Sequence, residues 1–98
     1  MRLSFHPEVS RDVGEILDHY GAISSELARR FDDQLEQLYG RIAANPKRFS
    51  PIDLSSGLRR ARLPDFPYLI IYRELDDRVR VLSVRHEKRD PAHASERR

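Results

Sequence analysis

The sequence predicts an α+β domain: an N-terminal strand, a two-helix antiparallel hairpin, and three further strands completing a small, mostly antiparallel sheet (β-α-α-β-β-β). Two observations carry this. Apolar residues recur at steps of three and four up to residue 46, and beyond it the period shortens to two. The breakpoints fall on Gly21, Asn45-Pro46, Pro51, Gly57, Pro64 and Pro67, residues that end regular structure. At 98 residues the chain has length for one compact core.

Met1, Leu3 and Phe5 alternate with Arg2 and Ser4, the period of a half-buried strand. His6-Pro7-Glu8 opens the first helix: proline suits the first helical position, and Glu8 complements the positive end of the helix dipole. Val9, Val13, Ile16, Leu17 and Tyr20 form its apolar stripe, and Gly21 is the expected stop. Ser24 is the expected N-cap of a second helix, with Gly-Ala-Ile as the link. Leu27, Phe31, Leu35, Leu38 and Ile42 face the core, and Asn45-Pro46 ends the helix after roughly 30 Å.

Residues 47–57 read as a loop. Strands are expected at Leu58–Leu63, at Tyr68–Arg73 as the central, two-sided strand, and at Val79–His86, with Asp76-Asp77 turning between the last two. The first strand belongs at an edge or beside the last strand. Residues 92–98 read as a polar tail beyond a single domain of residues 1–91.

Charge is unevenly placed. Residues 1–46 hold five arginines against eight acids, and residues 47–98 hold thirteen lysines and arginines against eight acids. Such asymmetry suits an anionic partner, and it equally describes solvated helix acids beside solvated sheet arginines. The chain has no cysteine, so disulfides, thiolate metal sites and a cysteine nucleophile are excluded, in keeping with a reducing cytoplasm. The longest apolar run, Tyr68–Tyr72, is far shorter than the ~20 residues of a membrane span, and MRLSFHPEVS lacks a signal peptide's apolar stretch. There is no phosphate-cradling glycine loop or HExxH. His6, His19, His86 and His93 are scattered, so neither a metal nor another cofactor is expected.

Five pieces together resemble a known family: Phe5-His6-Pro7-Glu8 before Asp12-Val13, Asn45-Pro46, Leu58-Arg59-Arg60, Phe66–Tyr72, and Val84-Arg85-His86 with Arg89-Asp90-Pro91. In this order and spacing they are similar to the RelE/ParE superfamily of toxins of bacterial type II toxin–antitoxin pairs, also called plasmid stabilisation proteins. The resemblance implies the same β-α-α-β-β-β fold, growth inhibition, and a cognate antitoxin as partner in a hetero-oligomer. RelE-like members cleave messenger RNA on the ribosome, whereas ParE-like members inhibit DNA gyrase.

Cleavage of the RelE kind needs a group to deprotonate the 2′-hydroxyl, a cation over the phosphate and a donor for the leaving oxygen. The family's nucleases carry an arginine second in a Tyr-Arg-x-x-Tyr stretch and an aromatic after the last strand. Here that stretch is Tyr68-Leu69-Ile70-Ile71-Tyr72, with Leu69 at the arginine position, and no Tyr, Phe or Trp follows Tyr72. The resemblance is therefore closer to the ParE branch, in which the C-terminal segment engages the target. For a nuclease, the residues left to act are His86, Arg60 and Arg85, with His86 as acid or base. For target or antitoxin binding they are Arg59, Arg60, Arg62, Arg85, His86 and Arg89. Alternation puts Arg60 and Arg62 on one sheet face and Arg59 on the other, so an outward Arg85 would complete a basic patch away from the helices. The plainer roles are a strand-ending histidine for His86, a packed Tyr72, a turn-forming Asp90 and solvated Lys47, Arg48 and Lys88.

Overall fold

A computed structural model describes residues 1–89 and 97. Its elements are β1 (Arg2–Phe5), α1 (Val9–Ile23), α2 (Ser25–Ala44), a 3₁₀ turn (Pro46–Arg48), β2 (Ser50–Pro51), β3 (Leu58–Arg62), β4 (Tyr68–Glu74) and β5 (Arg78–His86). The strands form one sheet in the order β1-β5-β4-β3-β2, with β1 parallel to β5 and the other pairs antiparallel. The expected fold class is the observed one, and β1 lies both at an edge and beside the last strand.

Helix α1 begins two residues later than expected. Pro7 and Glu8 form a turn in which the Glu8 N–H donates to His6 Nδ1 at 3.1 Å. The helix also runs through Gly21 and stops only at Ser24. Ser24 is extended (φ −165°, ψ 133°) and serves both helices: its N–H donates to the Tyr20 carbonyl, and its Oγ accepts the Leu27 N–H at 3.2 Å. The link is thus one residue rather than Gly-Ala-Ile, because one extended serine satisfies backbone groups of both termini. A Cβ at Gly21 would meet the Ala28 Cβ at 4.0 Å, an ordinary contact, so the packing of α2 does not require a glycine there.

The hairpin packs on one sheet face. Phe31, Leu35, Leu38 and Ile42 of α2, with Val9 and Ile16 of α1, bury against Ala61, Leu63, Ile70, Tyr72, Val79, Val81 and Val84. β4 is central and apolar on both sides, as its sequence predicts. Its Leu69 and Ile71 join Leu58 and Leu82 in a second buried cluster on the helix-free face.

Within 47–57 the structure adds the 3₁₀ turn and β2, which the sequence reading leaves as loop. β2 is only two residues long and includes a proline, so no alternation marks it; Ser50 and Pro51 pair with Arg60 and Arg59. Tyr72, fully buried, anchors the turn by donating its O–H to the Pro46 carbonyl at 2.5 Å.

β5 has an irregularity. Ile71 pairs with Ser83 and Tyr72 with Val81, so Leu82 is an extra residue, a β-bulge. Before it Val79 and Val81 face the helices and Arg78 and Arg80 face away; after it Val84 faces the helices and Arg85 faces away. Beyond Val81, where the His6 N–H donates to the Val81 carbonyl, β1 no longer covers the β5 edge. Asp12 takes over there, its Oδ2 accepting the Val84 N–H at 3.1 Å and the Ser83 hydroxyl at 3.3 Å. Arg97 donates to Asp12 Oδ2 at 2.7 Å and to the Leu82 carbonyl at 2.9 Å; the hydrogen bond and charge of Asp12, with Glu8 beside it, raise the guanidinium pKa. Apart from Arg97, the polar tail and Asp90-Pro91 lie outside the described residues.

Leu35→Asp, which puts a carboxylate among Phe31, Leu38 and the sheet, is expected to abolish cooperative thermal unfolding, because the penalty rivals a small domain's whole ~5–15 kcal/mol of stability. A soluble Leu35→Asp protein with a cooperative melt would refute that packing. Burial pushes the Tyr72 hydroxyl up to about 12; Arg59 partly opposes the shift and Glu74 adds to it. The fold favours the neutral phenol, so this contribution is complete below pH 10 and is lost as pH climbs toward 12. Tyr72→Phe should cost ~1–3 kcal/mol near neutrality by leaving the Pro46 carbonyl unpaired, and should flatten the alkaline fall in melting temperature.

Candidate functional site

The six residues singled out from the sequence divide between the two sides of the sheet. Arg60 and Arg62 project from β3 on the helix-free face, in phase with Leu58 of the outer cluster. Arg59, on the helix side, donates to the Phe49 carbonyl at 2.7 Å and holds the segment leading into β2. Arg62 donates from Nε to Glu87 at 2.8 Å and from Nη1 to the Leu63 carbonyl at 2.8 Å. That hydrogen bond lowers the Glu87 pKa.

Arg85 lies on the helix-free face but is only 4% exposed, with its Nε donating to Ser83 Oγ at 2.7 Å. The outward patch expected of Arg60, Arg62 and Arg85 is therefore made at the surface by the first two, because the arginine that follows the bulge is buried. The register sets Arg62, Leu69 and Arg85 in one row across β3, β4 and β5. Leu69 stands between two guanidinium-bearing positions, itself 7% exposed.

His86 pairs with Tyr68 on the helix side, its ring 5.4 Å from the Tyr68 ring, and its Nδ1 accepts the Lys88 N–H at 3.1 Å. The fold does not gather His86, Arg60 and Arg85 around one cavity. His86, Arg85 and Arg89 line a small hollow of about 190 Å³ that also holds Asp12 and Glu15.

Arg60 and Arg62 belong instead to a larger open cleft of about 650 Å³, where they meet Arg41, Arg48 and Lys88, with Leu69 in the wall and Glu87 as the acid. Arg41 comes from the last turn of α2, its guanidinium carbon 5.6 Å from the centre of the Phe49 ring. Arg41 was not marked by the sequence, and Arg48 and Lys88 read as solvated. Their convergence depends on the 3₁₀ turn and on the end of β5, which no local pattern announces.

Chemically, the cleft can attract and hold an anion, since five cations face one paired carboxylate. Leu69 offers no charge to a phosphate, and the Tyr72 hydroxyl is committed to Pro46. Among the described residues no group of three or more His, Asp or Glu side chains is placed to hold a metal, and no helix is long and apolar enough to cross a membrane.

Comparison with known proteins agrees with this architecture. Residues 3–91 match the family described as "ParE toxin of type II toxin-antitoxin system, parDE". The chain is 30% identical over 91 residues to Toxin ParE2 of Mycobacterium tuberculosis, from strain CDC 1551 / Oshkosh and from strain ATCC 25618 / H37Rv alike, covering 92% of this chain and 85% of the relative. Its fold superposes with a TM-score of 0.75 on a solved chain titled "Chromosomal ParDE TA system from P. aeruginosa", at 20% identity and covering 88% of this chain and 95% of the other. A family match spanning nearly the whole chain, on the fold built here from its residues, places this protein in the ParE toxin family of type II toxin–antitoxin systems.

Proposed function

We propose that residues 1–91 act as a single ParE-like toxin domain that inhibits growth by poisoning DNA gyrase in the cytoplasm and is neutralised by a cognate antitoxin in a hetero-oligomer. The observation that carries this reading is Leu69, an apolar side chain packed among Leu58, Ile71 and Leu82 in the row between Arg62 and Arg85. A ribonuclease of the RelE kind needs a cation there to stabilise the charge developing on phosphorus. Here that position contributes to packing. Gyrase inhibition needs no acid–base pair, so the separation of His86 from Arg60 costs it nothing.

Gyrase supercoiling should therefore stop, or cleavage complexes accumulate, when the purified toxin is added, while messenger RNA on translating ribosomes stays intact. RNA cut at codons with supercoiling unaffected would replace this reading with the nuclease one, acting through the cationic cleft. Normal growth on expression, with both assays silent, would leave only a non-toxic antitoxin-binding relative.

The antitoxin segment fits the same charge pattern: a helix followed by an extended, acid-bearing stretch that orders on binding. Of the basic residues, Arg60 is exposed, whereas Arg59 secures backbone and Arg85 is buried. Arg60→Ala is expected to slow association with the antitoxin several-fold at low salt and much less at high salt, as rim charges do. An association rate unchanged at every salt concentration would overturn this electrostatic account.

A further inference from the structure

A second concentration of positive charge lies at the opposite end of the helix-free face, away from the cleft. Arg73 and Arg80 are register partners across β4 and β5, and Arg2 and Arg78 are register partners across β1 and β5. Arg73, Arg78 and Arg80 border an open bowl of about 490 Å³ with Leu75 and Leu82. Like charges set directly opposite in a sheet are unfavourable, so gathering these arginines costs the fold part of what their hydrogen bonds return.

Little of that charge is neutralised by the strands themselves. Asp77, in the turn, reaches Arg78 at 2.9 Å and Arg2 at 3.5 Å. Arg73 donates to the Ser56 carbonyl at 3.3 Å and Arg78 to Ser4 Oγ at 3.3 Å, both neutral acceptors. Among the described residues the one acid in a strand, Glu74, is on the helix side in phase with Ile70 and Tyr72. All four cations are arginines, whose planar fork pairs two N–H groups with one phosphate.

The aromatic residues narrow the partner further. All eight rings are accounted for on the helix side: Phe31, Tyr39, Phe66 and Tyr72 in the core, Tyr20, Phe49 and Tyr68 packed against it, and Phe5 edge-on to Tyr39. Single-stranded nucleic acid is held by stacking its bases on aromatic side chains, and this face offers none. A duplex keeps its bases stacked internally and presents phosphates outward, which is what a flat array of guanidinium groups recognises.

We propose that Arg2, Arg73 and Arg78 form a docking surface for the phosphate backbone of duplex DNA. The contact is independent of base sequence and needs no gyrase, so its success or failure is separate from that of the target assignment. If the surface neutralises about three phosphates, affinity for a short labelled duplex, read by fluorescence anisotropy, should fall roughly 40-fold between 50 and 200 mM salt. The double variant Arg73→Gln/Arg78→Gln should bind more weakly, with a log–log salt slope shallower by about 2, and should melt close to the parent, because the two like-charge pairs it relieves offset the exposed Arg78–Asp77 ion pair and the two hydrogen bonds it removes. A duplex affinity and slope unchanged in that folded variant would overturn the proposal. So would single-stranded DNA of the same sequence binding as tightly as the duplex. Failure of the parent to bind duplex while it retains a polyglutamate peptide through Arg73 and Arg78 would assign the surface to an acidic protein instead.

Discussion

Leu82 has no register partner in β4, and that extra residue determines which side chains of β5 face the helices. Strict alternation from Val79 would carry Arg80 and Arg85 to opposite faces. The bulge shifts the phase, so Val79, Val81 and Val84 all enter the helix-side core while Arg78, Arg80 and Arg85 all fall on the other side. The family resemblance, the cleft and the arginine surface all concern a helix-free face whose composition depends on this phase change. Without it Val84 would leave the core and Arg85 would enter it, and burying a guanidinium among valines is prohibitive.

A sheet covered on one side by two helices must keep its other side from acting as a sticky apolar plane. Here that is done with a narrow strip, Leu58, Leu69, Ile71 and Leu82, bordered by arginines toward both ends. The aliphatic stems of arginine can lie along such a strip while the charged heads remain near water. The same residues that keep the apolar strip narrow also give the face its positive charge, so protection from self-association and attraction for anions draw on one set of side chains.

The helical half of the fold is legible because its signals are local: the Leu27-to-Ile42 stripe, Ser24 at a helix start, and Asn45-Pro46 at an end each act within a few residues. Gly21 misleads because the helix stop is set by Ser24, three residues on, which satisfies both termini at once. β2 escapes notice because two residues, one of them proline, contain no period. The bulge escapes because Val81-Leu82-Ser83-Val84 reads as ordinary strand sequence. Leu69 as a departure from a nuclease pattern is readable from one position. The cleft is not, since Arg41, Arg48, Arg60, Arg62 and Lys88 come from α2, a short turn, β3 and the end of β5. Charge convergence of that kind exists only after the chain has folded.

The parallel pairing of β1 with β5 joins residues 2–5 to residues 78–81, almost the full span of the chain. The two-helix hairpin can form from neighbouring residues soon after they leave the ribosome, but the first strand then has no place to go until the last strand is made. A truncated chain ending before β5 has neither that partner for β1 nor the valines that close the core over α1. Translation must therefore run past His86 before this sheet exists. In a family of toxins, the order of synthesis itself delays the appearance of the finished surface until β5 has been made.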